Sequence, residues 1–558
     1  MICFAAANHE AMAQQSGNDM CLGCHGNQGF AMPRADGQTR SLFVDKDKFQ
    51  ESVHGKFLPC IGCHQDKGQF PHQNVAKSAL EWRQSIPGMC ATCHANARDQ
   101  YLSSVHGTEL TRGNPKAATC SDCHTGHAID RPKSDAVRIA ITQTCGNCHE
   151  QNLRSFLDTY HGQVHTLGYA HTAKCFDCHG DHAIQRTSNP ASTVHPNNRV
   201  QTCRKCHENA TAGFVSFQPH ATTNDFNRYP HTWIASKFMF ALLGGTFGFF
   251  WLHSALWYYR EWSDRRQGKN RPHVQTSHLP PAEGPFYQRW TAMWRLAHLA
   301  FAICIIVLLI TGMSLLYADS FWAPKVQKAF GGPQSAGLVH RIFAVAFVGI
   351  FVAHIAYVAV RIGRNWRTFR WFGPHSLIPN LQDLKDAIGM FKWFFGRGPR
   401  PIFDRWTYWE KFDYWAPFWG VTIIGVSGAI LWFKEIAAMV LPGWTFNVAQ
   451  IFHGEEAFLA AGFLFTVHFF NNHWRPDKFP LDIQMFTGAV PLEEFRREHT
   501  VEYNRLVETG ELKNYLVQAP SRPLTVASQI LGFTLMALGL LILILILTGF
   551  VNSLMVGR

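Results

Sequence analysis

Spare cysteine is what this 558-residue chain most lacks: of its 16 cysteines, fourteen belong to one recurring pattern, and only Cys3 and Cys304 stand outside it. No thiols remain for a disulfide framework, and Cys304 sits in an apolar run where packing accounts for it. Residues 14 to about 231 have few long apolar runs, so they cannot build an ordinary hydrophobic core. The sequence carries no glycine-rich phosphate loop and no nucleophilic triad, which leaves it without visible nucleotide or acyl-transfer chemistry. Met1–Ala13 ends in Ala-Met-Ala, as a signal peptide does, yet it has neither a basic start nor a long apolar centre. The expectation is an export signal that begins upstream or is incomplete here.

What the chain does have is Cys-x-x-Cys-His, seven times: Cys21, Cys24 and His25; Cys60, Cys63 and His64; Cys90, Cys93 and His94; Cys120, Cys123 and His124; Cys145, Cys148 and His149; Cys175, Cys178 and His179; Cys203, Cys206 and His207. Each reads as a c-type haem attachment site. Two thiols add across the haem vinyl groups, and the adjacent His lies under the ring as an axial iron ligand. One copy alone leaves room for half a zinc site or a redox dithiol, whereas seven copies with the His in register do not. The haems themselves then serve as the core, wrapped by short helices and loops. Covalent haem also implies the outer side of a cytoplasmic membrane.

An internal repeat adds a second ligand set. Ser-Val-His54-Gly, Ser-Val-His106-Gly and Thr-Tyr-His161-Gly each precede a motif, and the motif is trailed by Pro-His72, Thr-Gly-His127-Ala-Ile or Gly-Asp-His182-Ala-Ile. After the seventh motif, Gln-Pro-His220-Ala falls where the next His-Gly belongs. His54, His72, His106, His127, His161, His182 and His220 thus give seven distal ligands for seven haems, with His165, His171, His195 and His231 as alternatives. Six-coordinate iron of this kind has no open position, which favours electron transfer over substrate binding. The net charge of +12 does not point to nucleic acid, because haem propionates and membrane-flanking loops absorb the basic excess.

Beyond residue 231 the composition changes. Apolar runs long enough to span a bilayer cover Trp233–Tyr259, Thr291–Tyr317, Leu338–Val360, Trp415–Phe433, Val448–Phe470 and Leu524–Phe550, about six transmembrane helices with Trp and Tyr at their ends. The expected class is all-α, a loop-rich multihaem domain (1–231), an anchor helix and linker (232–285), a membrane domain (286–515) and a last transmembrane helix (516–558). Loops 260–290 and 361–411 are rich in Lys and Arg, with 6 and 10 of them, including Lys269 and Arg271, and belong in the cytoplasm; 318–337 has only Lys325 and Lys328, and 436–447 has none. Residues 1–231 then lie outside, which the resemblances given below imply is the periplasm of a bacterial inner-membrane protein. Residues 376–395 read as an amphipathic interfacial segment, and 491–516 as a solvated cytoplasmic helix. His253 on the anchor reads as structural.

Ionisable residues inside such helices are functional candidates. His340 and His354 are 14 residues apart, and His453 and His468 are 15 apart; both pairs return to roughly one helix face, about 21–23 Å apart along it. Two such helices can clamp two b haems stacked across the membrane. The first region resembles periplasmic multihaem c cytochromes with paired motifs and Ser-x-His-Gly ligands, and that resemblance implies haems stacked into a wire. Residues 286–515, through Arg295-Leu-Ala-His298, Leu-Ile-Thr-Gly312, His340-Arg-Ile-Phe and His453…His468, resemble the di-haem cytochrome b subunits of formate dehydrogenases and nickel–iron hydrogenases. The resemblance implies His340 with His453 for an outer haem and His298 with His468 for an inner one; helix spacing offers His354 in place of His298.

The whole architecture resembles the inner-membrane quinol dehydrogenases of bacteria that respire anaerobically on external acceptors. It implies oxidation of menaquinol or ubiquinol, with electrons passing through two b haems and seven c haems to a periplasmic carrier or another respiratory subunit. Glu455 and Glu456 beside His453, and Arg341 beside His340, are the acid–base candidates for a quinone site. Quinone reduction by reverse flow uses the same parts, and a non-catalytic conduit subunit is the reading from a different class. A pyridine haemochrome assay on the purified chain is expected to return seven c haems to two b haems.

Overall fold

Short helices carry the first part of the chain and long ones the second. The computed structural model describes residues 17–33, 37, 39–73, 75–268 and 285–556; Met1–Ala13 with Cys3, and the loop cations Lys269 and Arg271, lie outside them. Two units result, Met1–Val215 and Ser216–Arg558. The division falls before residue 231 because the intervening segment is bonded to the second unit. Ser216 Oγ accepts the Gly443 amide at 2.6 Å, and the Asn447 side chain bonds both the N–H and the carbonyl of Gln218 at 3.2 and 2.9 Å. Strand content among the described residues is confined to a hairpin, Ala31–Pro33 with Thr39–Ser41, and a three-stranded sheet with Phe286–Gln288 between Ala489–Pro491 and Leu516–Val517.

In the first unit the apolar core is thin: Tyr101, Leu110 and Ala117 form one small buried cluster with Leu80 against it. The motifs sit on helix ends. Cys60–Cys63, Cys120–His124 and Cys175–His179 are single-turn helices, whereas Cys90 and Cys145 close the helices Ala79–Ala91 and Asp135–Gly146. The Ser/Thr-x-His-Gly signature has a local cause. Ser52, Ser104 and Thr159 each accept the amide of the glycine three residues on, at 3.0, 3.1 and 3.2 Å. A Cβ on Gly55, Gly107 or Gly162 would lie 1.7–2.2 Å from the carbonyl oxygen of Phe49, Tyr101 or Phe156, so only glycine fits. The residue between hydroxyl and histidine ties two repeats together: Val53 N–H donates to Ile129 O at 2.9 Å and Val105 N–H to Ile184 O at 2.8 Å.

The second unit is a helix bundle: α1 Pro230–Arg266, α2 Ala292–Leu316, α3 Pro333–Arg364, α4 Tyr408–Trp432, α5 Trp444–Gly462 and α6 Arg522–Val556. Helix α2 packs on α3, α4 on α5, and α1 on α5. Five of them, all but α5, are long and apolar enough to cross a membrane. The sixth expected span, Val448–Phe470, is not one apolar α-helix. It carries His453, Glu455 and Glu456, ends as α-helix at Gly462, and continues as π-helix over Phe463–His468 and Phe470–Trp474. Where the winding changes, Phe247 of α1 occupies the space a Gly462 side chain would take, with its Cζ 2.4 Å from the ideal Cβ.

The expected interfacial segment is the helix Leu381–Phe394, opened by a reciprocal Asn380–Asp383 cap. One face buries Met390, Trp393 and Phe394 against Trp257 and Trp409, while Leu381, Leu384 and Ile388 stay exposed. Residues 491–516 depart from the expectation of a solvated charged helix. Two helices, Leu492–Glu498 and Thr500–Glu508, bury Glu494 and Glu502 almost completely, because cations from other segments meet them. Lys478 pairs with Glu494, with Asp482 at 2.8 Å and with Glu498 at 3.0 Å; Arg475 reaches Glu498 at 2.8 Å, and Arg405 reaches Glu502 at 2.9 Å. Burial lifts the Glu494 carboxyl to about 7, whereas Lys478 and Arg475 hold Glu498 well below the carboxylate range. Removing one member leaves uncompensated buried charge, so Lys478→Ala is expected to cost about 3–5 kcal/mol, measured as a lower thermal midpoint of the full chain in detergent.

Candidate electron-transfer centres

Histidines in both units meet in pairs at a common spacing. In the first unit the ring centres are 6.3 Å apart for His25–His72, 6.1 Å for His64–His127, 6.0 Å for His94–His54, 6.1 Å for His124–His182, 6.2 Å for His149–His106 and 6.2 Å for His207–His161. Each pair joins a motif histidine to one of the non-motif histidines singled out by the repeat. The partners come from neighbouring repeats: His94, His149 and His207 reach back along the chain, and His25, His64 and His124 reach forward. Of the other two, His179 lies in the first unit and His220 in the second.

This spacing fits an axial ligand pair. Two metal–nitrogen bonds of about 2 Å and about 1 Å from each nitrogen to its ring centre require roughly 6 Å. Among the described residues no group of three or more His, Cys, Asp or Glu is placed to hold a bare metal ion, whereas a porphyrin brings four nitrogens and asks the protein for two. Ring orientation is set from behind in two cases: His25 Nδ1–H donates to Leu42 O and His72 Nδ1–H to Gln69 O, both at 2.8 Å, which turns each Nε2 outward. Burial holds His64, His106, His124, His127 and His179 below the usual imidazole range, and the neutral ring is the metal-binding form. The alternatives have other contacts. His171 lies 3.7 Å from Asp135, His195 accepts the Asn197 amide at 3.3 Å, His165 packs on Phe156, and His231 stacks on Trp444 at 3.8 Å.

Two more pairs lie within the helix bundle. His340 of α3 and His453 of α5 have ring centres 6.3 Å apart, and His298 of α2 and His468 of the π segment are 6.4 Å apart. His354 faces neither; its Nε2 shares a hydrogen bond with Tyr414 Oη at 3.0 Å. The outer shell repeats between the first two. His340 Nδ1 meets Thr311 Oγ1 at 2.9 Å and the Leu308 carbonyl, and His453 Nδ1 meets Ser427 Oγ and the Ile424 carbonyl, each at 3.1 Å. The next residue is glycine both times, and a Cβ on Gly312 or Gly428 would come within 3.1 Å of the imidazole Cε1. His468 is held by Asp413 at 3.3 Å and Asn472 at 3.2 Å, both on Nδ1. Sequence reasoning missed Thr311, Ser427, Asp413 and Asn472. The signal for the first two was a hydroxyl followed by glycine on alternate helices, Thr311-Gly312 and Ser427-Gly428.

The quinone-site candidates occupy separate surroundings. Glu456 is buried and accepts from Trp419 Nε1 at 3.3 Å, Glu455 lies within electrostatic reach of Tyr317, and the Arg341 guanidinium sits 5.7 Å from the Trp432 ring centre. His253 is buried and bonded to Tyr408 Oη at 2.5 Å, which gives it a packing role.

Apolar helices long enough to cross a membrane, with histidines paired between them, support a multi-pass membrane cytochrome b that works by electron transfer. The family whose model matches is the prokaryotic cytochrome b561 family, over residues 210–370 and 289–475, and the family implies b haems. Both bundle pairs, His340–His453 and His298–His468, fall within those residues. No curated protein matches the chain. Bound between two such histidines, a b haem supplies a one-electron iron couple; the residues behind it hold the rings. Thr311→Val and Ser427→Ala are each expected to weaken b-haem retention roughly 10- to 100-fold, read as b-haem content after graded detergent washing.

Proposed function

We propose that the chain oxidises a membrane quinol, menaquinol or ubiquinol, and passes the electrons through two b haems and seven covalent c haems to a periplasmic acceptor. The observation that carries this reading is one ligand geometry shared by a covalent-attachment domain and a membrane bundle on a single chain. In this reading the fourteen motif cysteines hold the c haems. Motif histidines and the non-motif set supply their axial ligands, and His179 and His220 keep the roles the repeat gives them. His340 with His453 and His298 with His468 take the b haems. The basic loops support a reading with the His340–His453 end toward the periplasm and residues 1–231 outside the bacterial inner membrane. Glu455, Glu456 and Arg341 are the proton-handling groups proposed for a quinol near that end. Bis-histidine iron throughout suits a conduit whose substrate chemistry happens at the quinol.

The test is anaerobic addition of a short-chain quinol to the purified chain, followed in the haem absorption bands. Reduction of both b and c haems with no other protein present is the expected result. Reduction only after a partner enzyme is added would make the chain a conduit subunit. A high-spin signal in the resting spectrum would mean an open iron and overturn the bis-histidine assignment.

A further inference from the structure

The bundle contains an internal two-fold correspondence, and one member of it has no role in the account above. Helices α2 and α3 hold His340 through Leu308, Thr311 and Gly312; α4 and α5 hold His453 through Ile424, Ser427 and Gly428, at the same offsets. Counted from these matched points, His298 lies thirteen residues before Thr311, and Tyr414 lies thirteen before Ser427. His354 follows His340 by 14, and His468 follows His453 by 15, the extra residue falling in the stretch that includes the π turns. The image of the His298–His468 pair is therefore Tyr414–His354. The first pair keeps 6.4 Å between ring centres, whereas the second closes into a direct 3.0 Å hydrogen bond.

The Tyr414–His354 pair is linked to the residues around the ligand pair from two sides. Asp413, its chain neighbour, bonds His468 Nδ1 at 3.3 Å. Trp294, one helical turn before His298, sets its ring edge-to-face against His354 at 5.3 Å. The pair is half-buried, and α3 turns Val352 and Ile355 outward beside it, on the helix whose apolar window is least covered by protein. A half-buried imidazole and phenol, beside an indole and open toward lipid, suit a flat amphiphile with hydrogen-bonding oxygens on its ring and an apolar tail. Resting on the quinol reading, we propose that His354 and Tyr414 form a binding site for the quinol head group at the His298–His468 end of the bundle, separate from Glu455, Glu456 and Arg341. His354 and Tyr414 hydrogen-bond one ring oxygen, and Trp294 walls the ring.

The test is equilibrium dialysis of a radiolabelled short-chain naphthoquinone against the purified full chain in detergent, with b-haem content measured in parallel. Tyr414→Phe and His354→Leu are each expected to weaken binding at this site at least tenfold while binding that depends on Glu456, and two b haems, remain. Unchanged affinity in both variants overturns the site, as does binding lost only in Glu456→Gln. Loss of one b haem in His354→Leu would make His354 an iron ligand and likewise overturn it. If the unaltered chain binds neither the naphthoquinone nor a short-chain benzoquinone while the haems still accept electrons from a partner, the quinol reading itself fails.

Discussion

An imidazole serves as half of a bis-ligated iron site only when the fold holds a second imidazole about 6 Å from it. That gap is the constraint on which both units depend. In the first unit the partners of each pair belong to different repeats, so no repeat can complete a site alone. A segment with so thin an apolar core gains little from burial. On the proposed reading, each haem staples two repeats twice over, through thioether bonds on one side and an imidazole on the other. Such cross-links reduce the freedom of the unfolded chain and offset the missing core.

Both units meet the constraint with the same chemical means, a hydroxyl to hold and a glycine to clear space. In the first unit Ser52, Ser104 and Thr159 cap short helices, and the glycine three residues on lets the helix lie against a preceding carbonyl. In the bundle Thr311 and Ser427 grip the Nδ1 of a histidine on the next helix, and Gly312 and Gly428 let that ring approach the backbone. Fixing Nδ1 leaves Nε2 to face the gap. A methyl group at either glycine would push the ring, and a lost hydroxyl would free it, so position and tautomer are set together.

The seven motifs and the paired membrane histidines were legible because covalent chemistry and helix period both leave marks at fixed spacing. His54, His106 and His161 could be singled out because Ser/Thr-x-His-Gly recurs. Between His298 and His354, which lie at the same depth, helix spacing favoured His354 and the family resemblance favoured His298. What separates them is a tertiary bond from His354 to Tyr414 and a winding change near His468. The buried carboxylates Glu494 and Glu502 were misread for a related reason. A run such as Glu493-Glu-Phe-Arg-Arg-Glu498 looks solvated until Lys478 and Arg475 arrive from another segment. Local composition reports what a helix carries, not which charges other segments bring to it.

The π turns explain why the bundle is symmetric at one level and asymmetric at the other. Near His340 and His453 the two helix pairs correspond residue for residue, and the ligands are equivalent. Past Gly462, where Phe247 packs against a position with no side chain, the second pair changes winding. One added residue turns the ring of a later histidine by about 100° relative to an α-helical continuation, and here that histidine is His468, which meets His298 across the bundle. The other half keeps regular α geometry and brings His354 onto a tyrosine. A duplicated scaffold thus yields three histidine-centred sites of two kinds: two with a gap suited to iron, and one closed by a phenol. On the proposed reading, iron carries the electrons and the His354–Tyr414 pair handles the ring oxygen of the hydrogen-carrying substrate.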